Sequence, residues 1–180
     1  RLSLSLSLSL SFCICAVVIY PFLRLKAMTI YNFYVFDRAG TCLFYREWKR
    51  LHNPLGDNIE EDRKLVFGLT FSLQQLAETL NPNPDEPGEF QMFRTSKTED
   101  AEGKEQGYAM HHFETATGMK FVINTDDECL NMRGVLKNIY ANIYVRHVVK
   151  NPLARPGKVI EAPRFAESLE RYITEMPQFK

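Results

Sequence analysis

Residues 29–36 read Thr-Ile-Tyr-Asn-Phe-Tyr-Val-Phe, and this stretch decides the fold. It is rich in β-branched and aromatic residues, which favour a β-strand. Successive side chains of a strand point to opposite faces, and both alternating sets are apolar here: Ile30, Tyr34 and Phe36 in one, Tyr31, Phe33 and Val35 in the other. A strand that is apolar on both faces needs cover on both. The sequence therefore predicts a central strand between two layers of other elements.

A hairpin and a long helix are predicted to follow this strand. Asp37-Arg-Ala-Gly40 has Asp at the start and Gly at the end of a type I turn, which predicts a paired second strand at 41–47. Between residues 60 and 80 the apolar spacing changes to about 3.6 residues after an acidic first turn, as is typical of an amphipathic helix. Its leucines are expected to share one stripe: Leu65, Leu69, Leu73, Leu76 and Leu80.

The rest of the chain predicts three more strands and then two helices. The strands are expected at 90–95, 108–114 and 119–124. A tight hairpin at 115–118 should join the last two, and the polar segment 96–107 should be an exposed loop. Helical spacing returns at 132–150, and Pro163 suits the first turn of a last helix. The buried stripe of the first of these helices is expected to be Met132, Leu136, Ile139 and Ile143.

Together these elements predict one α+β domain at 28–180, in the order β-β-α-β-β-β-α-α. Its five strands should form a mainly antiparallel sheet with helices on both faces. Residues 1–27 are expected to lie outside it, because a Leu-Ser repeat followed by a short apolar stretch is what upstream sequence, translated ahead of a start at Met28, would give. A targeting or anchor segment and a structural strand are the alternatives.

Composition narrows the class of protein. The chain has 180 residues, 45% of them hydrophobic and 24% charged, which is typical of a soluble globular protein. Equal numbers of basic and acidic residues, 22 of each, give no single-sign field to attract nucleic acid. The four cysteines form no CxxC pair, so neither a disulfide framework nor a structural zinc site is expected, and a reducing cytosolic setting fits best.

The sequence offers little that predicts chemistry. It contains no phosphate-binding P-loop, no G-x-G-x-x-G and no G-x-S-x-G, and Cys42 and Cys129 lie in no nucleophile motif. His111 and His112 are consecutive on a predicted strand, so they should point to opposite faces, one inward and one outward, and cannot readily share a metal ion. His147 should be a packed or helix-end histidine, and the acidic triplet at 126–128 lacks the spacing of a calcium loop. We therefore expect no catalytic residue, cofactor or metal site.

Four stretches carry a resemblance to a known family. They are Met-Thr-Ile-Tyr-Asn-Phe-Tyr-Val-Phe-Asp-Arg-Ala-Gly at 28–40, Cys-Leu-Phe-Tyr-Arg-Glu-Trp at 42–48, Phe-Glu-Thr-Ala-Thr-Gly-Met-Lys-Phe-Val-Ile-Asn-Thr-Asp at 113–126 and Tyr-Val-Arg-His-Val-Val-Lys-Asn-Pro-Leu at 144–153. In this order they resemble the subunit 1 family of trafficking protein particle (TRAPP) complexes. The likeness runs from Met28 nearly to the C-terminus and departs from the family at residues 1–27 and at a charged insertion around 98–105.

This resemblance implies a longin-like fold and a function without catalysis. The chain would be a small core subunit of a vesicle-tethering complex that is a guanine-nucleotide exchange factor for a Rab-family GTPase in transport from the endoplasmic reticulum to the Golgi. Its implied partners are other small TRAPP subunits and, in the assembled complex, the Rab GTPase. Its implied location is cytoplasmic and peripheral at the endoplasmic reticulum and cis-Golgi, with membrane contact only through the complex.

The helix at 132–150 is the expected contact surface. Its apolar side chains occupy more of the circumference than one contact with a sheet requires, although deep packing between the sheet and the last helix would also account for them. Aromatic residues are enriched at the centres of protein interfaces. The candidate partner-binding residues are Tyr140, Tyr144, Val148, Val149, Lys150, Asn151 and Pro152.

Two other classes of protein stay open at this point. A longin-like domain also occurs in clathrin adaptors and SNARE-type modules, although a SNARE would need a further heptad-bearing segment after residue 180. A ligand-binding domain on a profilin-like or PAS-like sheet is the more distant alternative, and it would need a roomy pocket with convergent polar groups.

Overall fold

A computed structural model of the chain describes residues 29–49, 58–83, 85–99, 105–155 and 157–176. The prediction for residues 1–27 lies outside this part of the chain. The strands are β1 (Ile30–Phe36), β2 (Cys42–Glu47), β3 (Met92–Arg94), β4 (Thr98–Glu99), β5 (Glu105–Gln106), β6 (Tyr108–Glu114) and β7 (Lys120–Asp126). The helices are α1 (Ile59–Thr79), α2 (Arg133–Asn138), which continues into a π-helical segment (Ile139–Val149), and α3 (Pro163–Thr174).

Five strands form one sheet in the order β2-β1-β7-β6-β3, and every neighbouring pair is antiparallel. The predicted order of elements, the antiparallel sheet and the helices on both faces are confirmed. One difference lies in the segment predicted as an exposed loop at 96–107, where β4 and β5 form a two-stranded hairpin of their own. None of the described helices is long and apolar enough to cross a membrane.

The central strand β1 is buried on both faces, as predicted. Tyr34 and Phe36 belong to the core under α1, whereas Phe33 and Val35 belong to the core under α2, the π-helical segment and α3. Ile30 was expected beside Tyr34, but it packs in the same core as Phe33. The cause is a shift of the β1–β7 register between Ile30 and Asn32, which moves Ile30 to the other face.

Both predicted hairpin turns are present. In the β1–β2 turn an Asp37 Oδ1 atom accepts hydrogen bonds from the backbone N–H groups of Ala39 and Thr41, at 2.9 and 2.8 Å. Gly40 has φ +90°, and a Cβ atom there would come within 2.7 Å of the Phe67 ring on α1. Only glycine satisfies both conditions at low cost, so this turn also fixes how closely α1 approaches the sheet.

The leucines of α1 do not form its buried stripe. The helix faces the sheet with Val66, Phe67 and Leu73, which pack against the core around Tyr34 and Phe36, and with Thr70, which is fully buried. The Thr70 hydroxyl donates to the Phe67 carbonyl oxygen at 2.8 Å, so its polar group is satisfied inside the helix. Of the predicted stripe only Leu73 packs inward, and the other four leucines are exposed: Leu65, Leu69, Leu76 and Leu80.

The second long helix begins as an α-helix and becomes π-helical at Ile139. The backbone N–H of Lys150 donates to the carbonyl oxygen of Val145, five residues earlier, at 3.0 Å. A π-helix has about 4.4 residues per turn. Side chains spaced four to five residues apart therefore return to the same face, and Ile139, Ile143 and Tyr144 are all buried. The predicted stripe of Met132, Leu136, Ile139 and Ile143 is confirmed, and the wider turn adds Tyr144 to it.

Both histidines of β6 are buried, on opposite sides of the sheet. His111 is 0% exposed and His112 1% exposed, so the expectation that one ring faces outward is wrong. The layer of α2, the π-helical segment and α3 covers one face of β6. Helix α1 and the loop before β3 cover the other, so neither face is open to solvent. The backbone N–H of Met132 donates to His111 Nδ1 at 3.3 Å, so His111 is neutral with its proton on Nε2, which donates to Thr125 Oγ1 at 3.0 Å.

Stability should therefore depend on pH through His111. Burial, with a smaller contribution from the nearby Arg94 guanidinium, lowers the pKa of His111 from its ordinary 6.5 to about 4. The unfolded chain then binds more protons than the folded chain between pH 6.5 and 4. The free energy of unfolding should fall as the pH is lowered through this interval, by about 3 kcal/mol at most.

Urea denaturation between pH 4.5 and 7.5 measures this dependence. The matched variant is His111→Gln, which can still accept and donate at the two positions but does not titrate. Its free energy of unfolding should fall less steeply below pH 6.5, because only the other titrating groups, which include the buried His112, then contribute. Parallel curves for the two proteins would contradict the assignment.

Candidate functional site

The described residues hold no arrangement that predicts catalysis or metal binding. No group of three or more His, Cys, Asp or Glu side chains among them could hold a metal ion. Burial raises the pKa of the Cys42 and Cys129 thiols above their ordinary value, which is the opposite of what activates a cysteine nucleophile. His147 bonds to Ser168 Oγ at 3.1 Å and so joins the π-helical segment to α3, as expected of a packed histidine.

The acidic triplet at 126–128 serves the structure. Asp126 Oδ2 accepts a hydrogen bond from the backbone N–H of Thr29 at 2.8 Å, which holds the start of β1 against the end of β7. Asp127 and Glu128 both lie near Lys97 Nζ, at 3.5 and 3.8 Å. These carboxylates therefore pair with a cation of the chain itself, and they do not converge on a common site.

Aromatic rings fill the space between the sheet and α2, the π-helical segment and α3. Phe121 lies at the centre, with ring centroids of Phe33 at 6.4 Å, Tyr144 at 5.4 Å and Tyr140 at 5.6 Å. Phe165 of α3 contacts Tyr144 from the far side at 6.2 Å. A ligand-binding domain of the profilin or PAS type would need an open pocket in this space, which these aromatic rings occupy.

A cleft of about 540 Å³ lies on the other side, between α1 and the β6–β7 hairpin. Its cations are already paired within the protein: Lys120 Nζ lies 2.8 Å from Glu114, and Arg133 contacts Glu89. His112 lines the cleft, stacks on Phe90, and donates through Nδ1–H to the Phe90 carbonyl oxygen at 3.0 Å. The two cations of the cleft and His112 Nδ1 therefore already have partners within the protein, whereas His112 Nε2 is buried without one.

The predicted contact residues divide into two groups. Tyr144 is only 6% exposed, and its hydroxyl contacts the Met119 sulfur at 3.1 Å, while Tyr140 and Val148 are half-buried against the same core. Val149, Lys150 and Pro152 are exposed, and Asn151 is half-buried. The apolar side chains that suggested a partner surface are thus mostly packed in the core. The prediction placed them on a helix with 3.6 residues per turn, whereas this segment is π-helical. Of the predicted contact residues, only those at the end of this helix are exposed.

A larger exposed apolar surface lies on α1, along the stripe that the leucine spacing predicted. We call Leu65, Leu69, Leu76 and Leu80 the leucine stripe. At 100° per residue they lie within about 60° of one another around the helix, and their side chains are between 36% and 70% exposed. Single exposed leucines are ordinary, but four on one side of α1 and its C-cap residue form the kind of patch that marks an interaction site.

A signal for this surface was present in the sequence. Helix α1 carries two adjacent apolar rows, one with Val66, Phe67 and Leu73 and one with the leucine stripe. Only one row can face the sheet. An apolar surface wider than one sheet contact requires was the reason for predicting a contact on the helix at 132–150. The same feature is present on α1 and predicts a contact there.

Comparison with known proteins shows where such a chain belongs. Curated relatives include the trafficking protein particle complex subunit 1 of Homo sapiens, 38% identical over 152 residues that cover 84% of this chain and 97% of that protein. Subunit 1 of Dictyostelium discoideum is 33% identical, over 83% of this chain and 98% of the relative. Subunit BET5 of Saccharomyces cerevisiae is 33% identical, over 71% and 76%. The Sybindin-like family model matches residues 30–176. The chain therefore belongs to the Sybindin-like family.

Proposed function

We propose that this chain is a non-catalytic core subunit of a TRAPP-type vesicle-tethering complex. The observation that carries the proposal is the leucine stripe on a longin-like domain whose relatives are named as subunits of such a complex. A subunit that contributes binding surface needs no nucleophile, metal ion or phosphate loop, which agrees with the neutral histidines and the high thiol pKa values described above.

The leucine stripe is the proposed contact with a neighbouring small subunit. Burying one leucine contributes about 2 kcal/mol, so four in a row offer an association energy that a lone domain leaves unused. Within the part of the chain that the structure describes, α1 is the only helix on its face of the sheet, and we propose that a helix of another subunit packs beside it. We propose a second longin-like subunit as the partner, because its own α1 would present the same kind of surface.

The assembled complex would act as a guanine-nucleotide exchange factor for a Rab-family GTPase in transport from the endoplasmic reticulum to the Golgi. Exchange breaks no covalent bond. A protein that binds the nucleotide-free GTPase more tightly than the loaded form necessarily weakens nucleotide binding by the same factor. This role places the chain in the cytoplasm, on the surface of the endoplasmic reticulum and cis-Golgi.

The end of the π-helical segment is proposed as a second protein contact, to a subunit or to the GTPase. Val149, Lys150 and Pro152 would touch the partner directly. Tyr140, Tyr144 and Val148 lie behind them in the core, and Asn151 accepts a hydrogen bond from the Leu153 backbone N–H at 3.0 Å. These four residues would support the contact by holding the helix end in place.

Charging the leucine stripe should prevent assembly without unfolding the domain. In the double variant Leu69→Glu and Leu76→Glu, two carboxylates would have to be buried at the proposed interface, which should weaken association about 100-fold or more. Native mass after co-expression with the other subunits measures assembly, and thermal unfolding measures stability. The control is Lys64→Glu with Gln75→Glu, two exposed positions of α1 outside the stripe. Normal assembly of the leucine variant would contradict the proposal.

Changing the helix end should show which protein it contacts. The double variant Val149→Asp and Lys150→Glu alters exposed side chains only, so the domain should stay folded. Nucleotide release from Rab GTPases by the reconstituted complex is then compared with assembly of that complex. Slow release by an intact complex would assign the surface to the GTPase, and failed assembly would assign it to a subunit.

The control for this experiment is Tyr144→Asp. Because Tyr144 is buried among Phe121 and Phe165, a carboxylate there should destabilise the domain by about 3 kcal/mol or more. This variant therefore reports the effect of unfolding and not of a lost contact. If the helix-end variant both assembles and promotes nucleotide release normally, the proposed contact is wrong.

A further inference from the structure

The loop between the π-helical segment and α3 concentrates positive charge on a chain that is otherwise acidic. From residue 146 to residue 164 the sequence has five basic residues and one acidic residue, Glu161. The rest of residues 28–180 has 14 basic and 21 acidic residues. No ion pair within the described residues engages Arg146, Arg155, Lys158 or Arg164. Their charge is therefore available to a partner.

These cations surround an open groove. One cavity of about 710 Å³ is lined by Arg155 and Lys158, and an adjoining cavity of about 400 Å³ is lined by Arg146 and Arg164. The two cavities share Asn151, Ala162 and Pro163 in their walls, so they form one continuous depression. All four cationic residues are exposed.

Two aliphatic side chains project beside the cations. Leu153 is 88% exposed and Val159 is 63% exposed, and both line the larger cavity. Each lies within two residues of a cation along the chain, Leu153 near Arg155 and Val159 next to Lys158. The loop holds them in place, because the Ile160 backbone N–H donates to the Leu43 carbonyl oxygen of β2 at 2.8 Å, and Ile160 packs on the core.

This combination fits an anionic membrane surface better than a protein. The energy of protein interfaces is concentrated in large aromatic side chains and in arginine, and residues 145–164 contain arginine but no Phe, Trp or Tyr. Exposed aliphatic side chains flanked by Lys and Arg are typical of segments that lie in the bilayer interface. The aliphatic groups enter the boundary of the acyl chains there, and the cations stay among the headgroups.

We propose that the groove lined by Arg146, Arg155, Lys158 and Arg164 binds the phosphates of an anionic phospholipid bilayer, with Leu153 and Val159 inserted at its surface. The sequence predicted membrane contact only through the complex, and this proposal assigns a direct contact to the chain itself. It does not depend on the proposed assembly, because lipid binding is a property of the isolated chain. Near an anionic surface each basic residue strengthens binding about fivefold.

Vesicle co-sedimentation of the full chain tests the proposal. The probes are vesicles of phosphatidylcholine alone and of phosphatidylcholine with about 30 mol% phosphatidylserine, a charge density at which each cation should count. Binding to the neutral vesicles measures what any apolar segment of the chain contributes. The increment given by phosphatidylserine should be large at low salt and should fall steeply as salt screens the charges.

Two variants assign that increment to the groove. Arg155→Glu with Lys158→Glu should weaken binding to the anionic vesicles at least 25-fold, and Leu153→Ser with Val159→Ser should weaken it several-fold. The control is Lys49→Glu with Lys64→Glu, which makes the same change of net charge at exposed positions outside the groove and should retain most of the binding.

Three results would overturn the proposal. The first is an absence of any increment from phosphatidylserine in the unchanged chain. The second is equal loss in the groove and control variants, which would mean that total charge alone is responsible. The third is unchanged vesicle binding by Arg155→Glu with Lys158→Glu together with failed assembly or slower nucleotide release, which would assign the groove to an acidic protein surface.

Discussion

The burial of β1 on both faces is the constraint on which the rest of the structure depends. A strand with aromatic side chains on both sides needs cover on both faces, and helices provide it on each; β2 and β7 pair with its two edges. The cover is unequal. Among the described residues, the core under α2, the π-helical segment and α3 contains 14 buried hydrophobic residues, whereas the core under α1 contains four. In this part of the chain α1 is the only helix on its side of the sheet.

The leucine stripe of α1 is exposed because none of the other described helices packs beside α1 on this face of the sheet. An isolated domain would gain nothing from a second apolar row that points away from its own sheet, and solvent exposure of this row favours aggregation. The row is consistent with a chain that completes its second layer with an element from another subunit. The small core under α1 and the exposed leucine stripe therefore both fit the proposal that another subunit packs on this side of the sheet.

Most of the fold could be predicted from the sequence, because periodicity and turn chemistry report local geometry directly. The five strands of the main sheet, the two glycine turns and the order of these elements follow from such signals, whereas the β4–β5 hairpin was predicted as a loop. Ile30 was assigned to the wrong face because a register shift depends on the neighbouring strand, which periodicity does not show. The spacing of the α1 leucines predicted a shared stripe, but an apolar pattern does not show whether such a stripe packs on the protein's own sheet.

The candidate site was harder to predict for a related reason. Tyr144 and Val148 looked like surplus apolar residues only when they were placed on a helix with 3.6 residues per turn. The switch to π-helical hydrogen bonding at Ile139 has no local sequence motif, and it places Tyr144 against Phe121 and Phe165. His112 shows the same limit, since alternation places it opposite His111 but cannot tell whether that face is covered by α1.

The π-helical segment also has an evolutionary consequence. Wide turns accommodate one more residue in each turn than an α-helix does, so a length change here is not equivalent to a length change in a loop. Loss of one residue between Ile139 and Val149 would permit ordinary α-helical bonding, but it would turn the following side chains by about 100° and replace Tyr144 in the core with a neighbour. Relatives of this chain should therefore vary in length at 96–107 far more readily than within this helix.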